Sequence, residues 1–244
     1  MKTTKKRFIK FIMFLILMIS GFIFLNLKTT VFNVKHIEVI GSSELTIEQV
    51  QIASGINLDN IFRLKSSEIE NNLKEHPYIK DAKLKKRFPN KVLISIIERK
   101  EVLEIIDLDT YVYVDEDGKV LKILSMPLDK QLPVLKGPKV KSYQIGQSIT
   151  FENELEIDMA LKILGVSEEL GYLEDIEKMV IESENKIFID TNLGIKVAFG
   201  DEYKIKYKIS FMHEILNTLA EKNITAGTLY LNKGEDPVFV PQDQ

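Results

Sequence analysis

Residues 76–99, HPYIKDAKLKKRFPNKVLISIIER, admit few folds. Pro77 has no N–H and biases the residue before it away from the α region, so a helix arriving from upstream stops there. Beyond it, Ala82, Leu84, Lys86 and Phe88 alternate with Lys83, Lys85 and Arg87 as far as a break at Pro89-Asn90. Val92, Ile94 and Ile96 then alternate with Leu93, Ser95 and Ile97, and β-branched residues at a period of two predict a second strand. The stretch reads as a β-hairpin entered from a helix and left through Glu98-Arg99.

Around this hairpin the pattern predicts strand, helix, helix, strand, strand. Val34–Ile40 reads as a strand ending at Gly41. Thr46 with Gln49 forms a capping box, Ile47, Val50 and Ala53 share a face, and Gly55 suits a left-handed helix end. Ser67 with Glu70 reads as a second capping box ahead of Ile69 and Leu73. Neither apolar stripe is long enough to stand alone, so both helices are expected on one face of the sheet.

After Val102 hairpins take over. Thr110–Asp115 and Lys119–Leu124 flank a Glu116-Asp117-Gly118 turn. Residues 126–141, with Pro127, Pro133 and Pro138, read as an irregular surface crossing. Leu155, Met159, Ile163, Val166 and Leu170 recur at helical spacing within Phe151–Leu170, and strands are expected at 176–182, 187–190 and 195–199. Asp201 is read as the cap of a last helix. Its seam of Ile205, Ile209, Met212, Leu216 and Leu219 is too short for a sustained coiled coil and is expected to pack in the core. GTLYLN (227–232) then predicts a strand, and 238–240 another extended piece. A strand placed so late is either a closing interior strand or an exposed edge offering free N–H and C=O groups.

With 244 residues, one large or two modest globular units are expected, and with no cysteine there is neither a disulfide nor a thiolate metal site. Phe8–Leu27 is the only long apolar run; at about 1.5 Å per residue it spans roughly 30 Å, the thickness of a hydrocarbon core. Residues 1–28 carry six basic residues and no acid, which places the short tail 1–7 in the cytoplasm and the bulk of the chain outside. A cleaved signal peptide is the competing reading, but the run is longer than a signal core and lacks a small-x-small site. The remaining residues hold 27 basic against 36 acidic groups, a poor footprint for nucleic acid.

Catalytic patterns are missing. His36, His76 and His213 stand far apart, outside any HExxH-like spacing. Asp115 with Asp117, and Glu168 with Glu169, are adjacent carboxylates in a turn and on a helix, and read as solvated groups. No phosphate-cradling loop, GxSxG elbow or SxxK occurs, so neither enzyme activity nor a cofactor or metal is expected. The basic run Lys83, Lys85, Lys86 and Arg87 is either a solvated strand face or a docking patch for an acidic partner, anionic lipid or wall polymer.

Pro77-Tyr78-Ile79, Ala82, Leu84, Lys86-Arg87-Phe88-Pro89 and Glu98-Arg99 together resemble the signature of the FtsQ/DivIB cell-division family. Phe32, Val34, Ile37, Val39 and Gly41 upstream, and Val114-Asp115, Gly118 and Val120 downstream, extend the likeness. Glu101 departs from it, since the family commonly has proline there. The resemblance implies an α+β chain: an N-terminal transmembrane helix (8–27), a POTRA-like β-α-α-β-β module (32–100), a β-rich domain with two helices (101–232) and a C-terminal tail (233–244). It further implies a single-pass scaffold at the division septum. Partners would be FtsB/DivIC-like and FtsL-like proteins, with a septal peptidoglycan synthase as a further one. The docking strand it implies falls on Thr228, Leu229, Tyr230 and Leu231, with Val238 and Phe239 beside it. The competing function is a POTRA-type transport or assembly chaperone, although those systems usually repeat the module and append a barrel.

Overall fold

The computed structural model describes residues 2–129, 131–183, 186–201, 203–233 and 236–242, with the side chains at 2–6, 22–23, 25–28 and 154–156 outside the description. The chain divides into two units, Met1–Glu98 and Arg99–Gln244. Its architecture is α+β.

The first unit opens with α1 (Lys2–Lys28), 27 residues, or about 40 Å of helix. The expected span 8–27 lies within it, and its described apolar side chains from Phe8 to Ile19 are exposed. Among the described residues no helix is long and apolar enough to cross a membrane. The rest of the unit is β1 (His36–Ile40), α2 (Ile47–Ser54), α3 (Ser66–Lys74), β2 (Ile79–Arg87) and β3 (Lys91–Glu98). The sheet order is β1-β3-β2, with β1 parallel and β2 antiparallel to β3. Val92, Ile94 and Ile96 of the central strand are buried against Val50, Ile61, Ile69 and Leu73 from the helical side.

Local signals explain most of these boundaries. Thr46 and Gln49 form the expected capping box, and Gly55 closes α2 with φ 61°. Gly41 ends β1 at φ 82°, where a Cβ would lie 2.2 Å from the carbonyl oxygen of Ile96, so only glycine lets the chain leave the strand this close to β3. The second capping box does not form. The residue preceding α3 is Lys65, with no side-chain cap, and the Glu70 carboxylate instead accepts the backbone N–H of Leu84 at 2.8 Å. Leu84 sits on an edge strand, and an unpaired backbone donor costs more than one helix cap returns.

The second unit contains β4 (Leu103–Asp107), β5 (Thr110–Val114), β6 (Val120–Leu124), β7 (Val134–Lys136), β8 (Val140–Ser142), β9 (Thr150–Phe151), α4 (Glu154–Leu170), a 3-10 turn (Leu173–Asp175), β10 (Ile176–Ser183), β11 (Lys186–Thr191), β12 (Ile195–Gly200), α5 (Ile205–Glu221), β13 (Gly227–Tyr230) and β14 (Val238–Pro241). Nine strands form one sheet in the order β14-β13-β12-β11-β10-β7-β4-β5-β6, and β8 pairs with β9.

Two expectations for this unit are corrected and a third is sharpened. Residues 126–141 are not only a surface crossing: β7 runs parallel to both β4 and β10 and joins the two halves of the sheet. A three-residue strand is too short for its alternation to show in the sequence. The fully buried residues of α4 among those described are Ile157, Ala160, Ile163, Leu164 and Ser167; of the expected set Ile163 is buried, Met159, Val166 and Leu170 are partly buried against the same core, and the Leu155 side chain lies outside the described residues. Ser167 tolerates burial because its hydroxyl donates to the carbonyl of Ile163. Asp201 does not cap α5, which begins after Lys204 in a left-handed conformation; its carboxylate takes the N–H of Tyr203 and the ammonium of Lys208. The α5 seam itself is core, with Ile209, Met212, Leu216 and Leu219 buried.

A candidate partner-docking edge

The signature pair at the unit boundary is locked on both sides. Glu98 accepts the hydroxyls of Ser42 and Ser43 and the backbone N–H groups of Ser43, Glu44 and Leu45, closing the loop between β1 and α2. Burial pushes its pKa up, but the donors aimed at its oxygens outweigh this and lower it to about 2. Arg99 belongs to the second unit. Its guanidinium bonds the fully buried carboxylate of Asp115 and, at 2.9 Å, that of Asp117. Asp115 also takes the N–H groups of Asp117 and Lys119, so it shapes the turn between β5 and β6.

The reading of Asp115 as a solvated carboxylate is therefore corrected, while Asp117 is half exposed as well as paired with Arg99. A buried acid in a tight turn is stable when a cation reaches it, and that cation comes from sixteen residues upstream. Glu168 and Glu169 are surface groups, paired with Lys100 and Lys206. Glu101 stands 3.7 Å from Lys122.

The predicted docking residues divide between two strands. Thr228, Leu229 and Tyr230 lie in β13, which is paired on both sides, parallel to β12 and antiparallel to β14. Leu231 follows that strand and is buried. The open edge is β14, not β13, because Val238–Pro241, which includes the extended piece expected at 238–240, folds back and occupies the place next to it. Val238 and Val240 are about half exposed, while Phe239 packs towards the core opposite Leu229. Among the described residues no backbone hydrogen bond reaches the outer edge of β14. The other end of the sheet differs: Val120 in β6 exchanges backbone hydrogen bonds with Gly146 and Gln147, which cover the start of that strand.

Sequence reasoning missed Gly227, which sets this edge. Its φ is 152°, and a Cβ there would lie 2.6 Å from the Phe239 ring and 2.7 Å from the carbonyl oxygen of Val240. A glycine opening a strand pattern is the kind of signal that marks close backbone approach. Beside β14 lies a groove of about 300 Å³ lined by Tyr203, Tyr207, Phe211, Leu231 and Pro237, with Lys204, Lys208 and Asp236 at its polar side. Tyr207 and Phe211 stand one helical turn apart with ring centres 4.5 Å apart. Lys208 is buried and fixed by the carbonyls of Phe199 and Asp201 and the Asp201 carboxylate, so it anchors α5 to the end of β12.

The remaining candidates separate. Of the basic run, Lys83, Lys85 and Arg87 point to the side of the sheet away from the helices, whereas Lys86 faces the helices and donates to the carbonyl of Leu64 at 2.6 Å. His36 lies on β1. Burial lowers the pKa of His76, whose ring accepts the N–H of Tyr78. His213 contacts the Asp175 carboxylate at 2.6 Å, neighbours Asn217 and stacks on Tyr172. Among the described residues no three His, Asp or Glu side chains converge as metal ligands. The most buried polar pair, Tyr113 and Glu104, is internally satisfied: the phenol donates to the carboxylate and accepts the N–H of Leu128, and burial next to that charge raises its pKa to about 12.

Comparison with known proteins returns both units. Residues 32–99 match the family model for the FtsQ-type POTRA domain, and residues 104–231 match the C-terminal domain of the cell division protein FtsQ/DivIB. Cell division protein DivIB of Clostridium tetani is 30% identical over 232 residues, covering 93% of this chain and 86% of that protein. DivIB of Geobacillus kaustophilus is 28% identical, covering 85% and 75%. A solved structure of the major extracytoplasmic domain of DivIB from Geobacillus stearothermophilus aligns over 51% of this chain and 96% of that one, with 20% identity and a TM-score of 0.33.

Proposed function

The chain belongs to the FtsQ/DivIB family of cell-division proteins, and on that premise we propose that it is a non-enzymatic, single-pass membrane scaffold of the division complex. In this reading the apolar part of α1, residues 8–27, is the anchor, the module at 32–100 follows outside the membrane, and the β-rich domain carries the docking edge. The partners are FtsB/DivIC-like and FtsL-like single-pass proteins, and the output is control of septal peptidoglycan synthesis.

The observation that carries the reading is the uncovered outer edge of β14 beside an aromatic groove. A partner segment adding as a tenth strand would satisfy the outward-facing backbone groups of β14, of which Pro241 can offer only a carbonyl, and its flanking side chains would find Tyr203, Tyr207 and Phe211. Thr228, Tyr230 and Leu231 then act from the second row: they hold β14 in register instead of meeting the partner's backbone. Main-chain pairing supplies affinity that depends little on sequence, and the groove supplies selection.

The test is binding of the extracytoplasmic segment of a DivIC-like protein to the purified chain. Replacing both Val238 and Val240 with lysine is expected to weaken binding by at least about tenfold, or ~1.4 kcal/mol, because charges at an edge discourage strand addition. Leu229→Ala, in the interior strand, serves as the comparison for general loss of packing. Unchanged affinity in the double lysine variant would overturn the β14 edge as the docking site.

A further inference from the structure

We propose that the open face of the three-stranded sheet, carrying Lys83, Lys85, Arg87 and Lys91, docks on the anionic lipid surface of the membrane in which α1 is anchored. The proposal rests on the reading of α1 as a membrane anchor given above.

Strand register brings the cations together. Arg87 pairs with Lys91, Lys85 with Leu93 and Lys83 with Ser95 across β2 and β3, while Ile40 of β1 lies beside Ser95 on the other flank. These side chains share the face opposite the helices, since Val92, Ile94 and Ile96 point into the core. Two acids border the cluster and offset part of its charge, leaving a cationic excess. Glu38 is 3.7 Å from Arg87, and Asp81 is occupied at 2.6 Å by Lys74. Among the described residues Lys83, Lys85 and Lys91 form no ion pair.

Three features select lipid over an acidic protein or polymer. The cations share their face with Ile40 and Ile97, both about half exposed, a mixture of charge and aliphatic surface that suits the headgroup boundary. Only residues 29–35 separate the end of α1 from β1, and seven residues reach at most about 25 Å, so the face is tethered next to the bilayer at high effective concentration. Charge is also partitioned along the chain. Residues 29–98 hold ten basic and nine acidic groups, whereas 99–244 hold 17 and 27, so an anionic surface repels the second unit and attracts this face of the first.

The chain lacks cysteine, so Ser95→Cys gives one labelling site in the centre of the face. The full-length chain carrying a fluorophore there is incorporated into nanodiscs of phosphatidylcholine alone or with phosphatidylglycerol, and access is read by acrylamide quenching. Quenching is expected to fall severalfold when phosphatidylglycerol is present, and to recover at high salt or in the K83E/K85E variant. Failure to co-migrate with nanodiscs would overturn the anchor and the tethered docking together. Normal incorporation with equal quenching in both lipids would overturn the docking alone. So would protection that persists in K83E/K85E, or equal protection produced in phosphatidylcholine discs by soluble polyglutamate, which would assign the face to an acidic polypeptide.

Discussion

In the three-stranded sheet the N–H of Leu84, on edge strand β2, is taken by Glu70 reaching across from α3, whereas in the nine-stranded sheet nothing among the described residues reaches the outer edge of β14. The two units use the same backbone chemistry and treat a free edge in opposite ways. The closed edge costs a helix its cap and shields a strand that would otherwise pair with other chains. The open edge is four residues long, fixed by a glycine and flanked by aromatic side chains, which limits unwanted pairing while leaving room for one added strand. Charge follows the same division: cations of the first unit gather on the open sheet face, and the second unit is acidic in sum, with 17 basic against 27 acidic residues.

The comparison breaks first at the unit boundary. Arg99→Met leaves the buried Asp115 carboxylate without its cation and is expected to cost the second unit about 3–5 kcal/mol. Chemical denaturation followed by probes in each unit should show loss confined to the second. Equal destabilisation of both units would mean that their stabilities are not separable.

Next in size is Gly227→Val. A side chain at that position collides with the Phe239 ring and the Val240 carbonyl, and the expected cost is about 2–4 kcal/mol, concentrated in β14. Hydrogen exchange should accelerate in residues 238–241 while the α5 seam stays protected. Glu70→Ala is smaller, about 1–2 kcal/mol, because one partly buried backbone donor loses its acceptor. It is expected to speed exchange at the Leu84 amide and to give the first unit an edge able to self-associate, which sedimentation of the variant would detect. A strictly monomeric variant would show that Glu70 serves folding alone.

The mildest effect is that of pH on Glu98. Its pKa of about 2 in the folded chain lies below that of an unfolded glutamate, so its stabilisation is complete above about pH 4.5 and is lost as pH falls towards 2. After allowance for partial solvent exposure this amounts to about 1 kcal/mol. Glu98→Gln should lower stability at neutral pH and flatten the acid limb of the first unit's melting profile. An unchanged acid limb would assign the pH response to other carboxylates.

Much of the first unit was legible because its signals are local. The hairpin at 79–98, the Thr46–Gln49 cap and Gly55 depend on residues within one turn or one strand of each other. The partners of Glu70 and Asp115 were not legible. Glu70 satisfies a ready local pattern but finds a donor fourteen residues away, and Asp115 looks like an ordinary turn acid until Arg99 is brought beside it. Of the docking region, the two strands were visible in the sequence, while their order in the sheet was not.

The family signature, the periods of the long strands and the α5 seam follow from the sequence alone, since each is set by side-chain spacing that survives without tertiary contacts. Which strand ends the large sheet, which residues of α4 are fully buried and which carbonyl the inward-facing Lys86 meets were settled only in three dimensions. Strand order and helix rotation are chosen by distant backbone groups competing for partners, and a short piece such as Val134–Lys136 or Val238–Pro241 takes its place from the strands it completes.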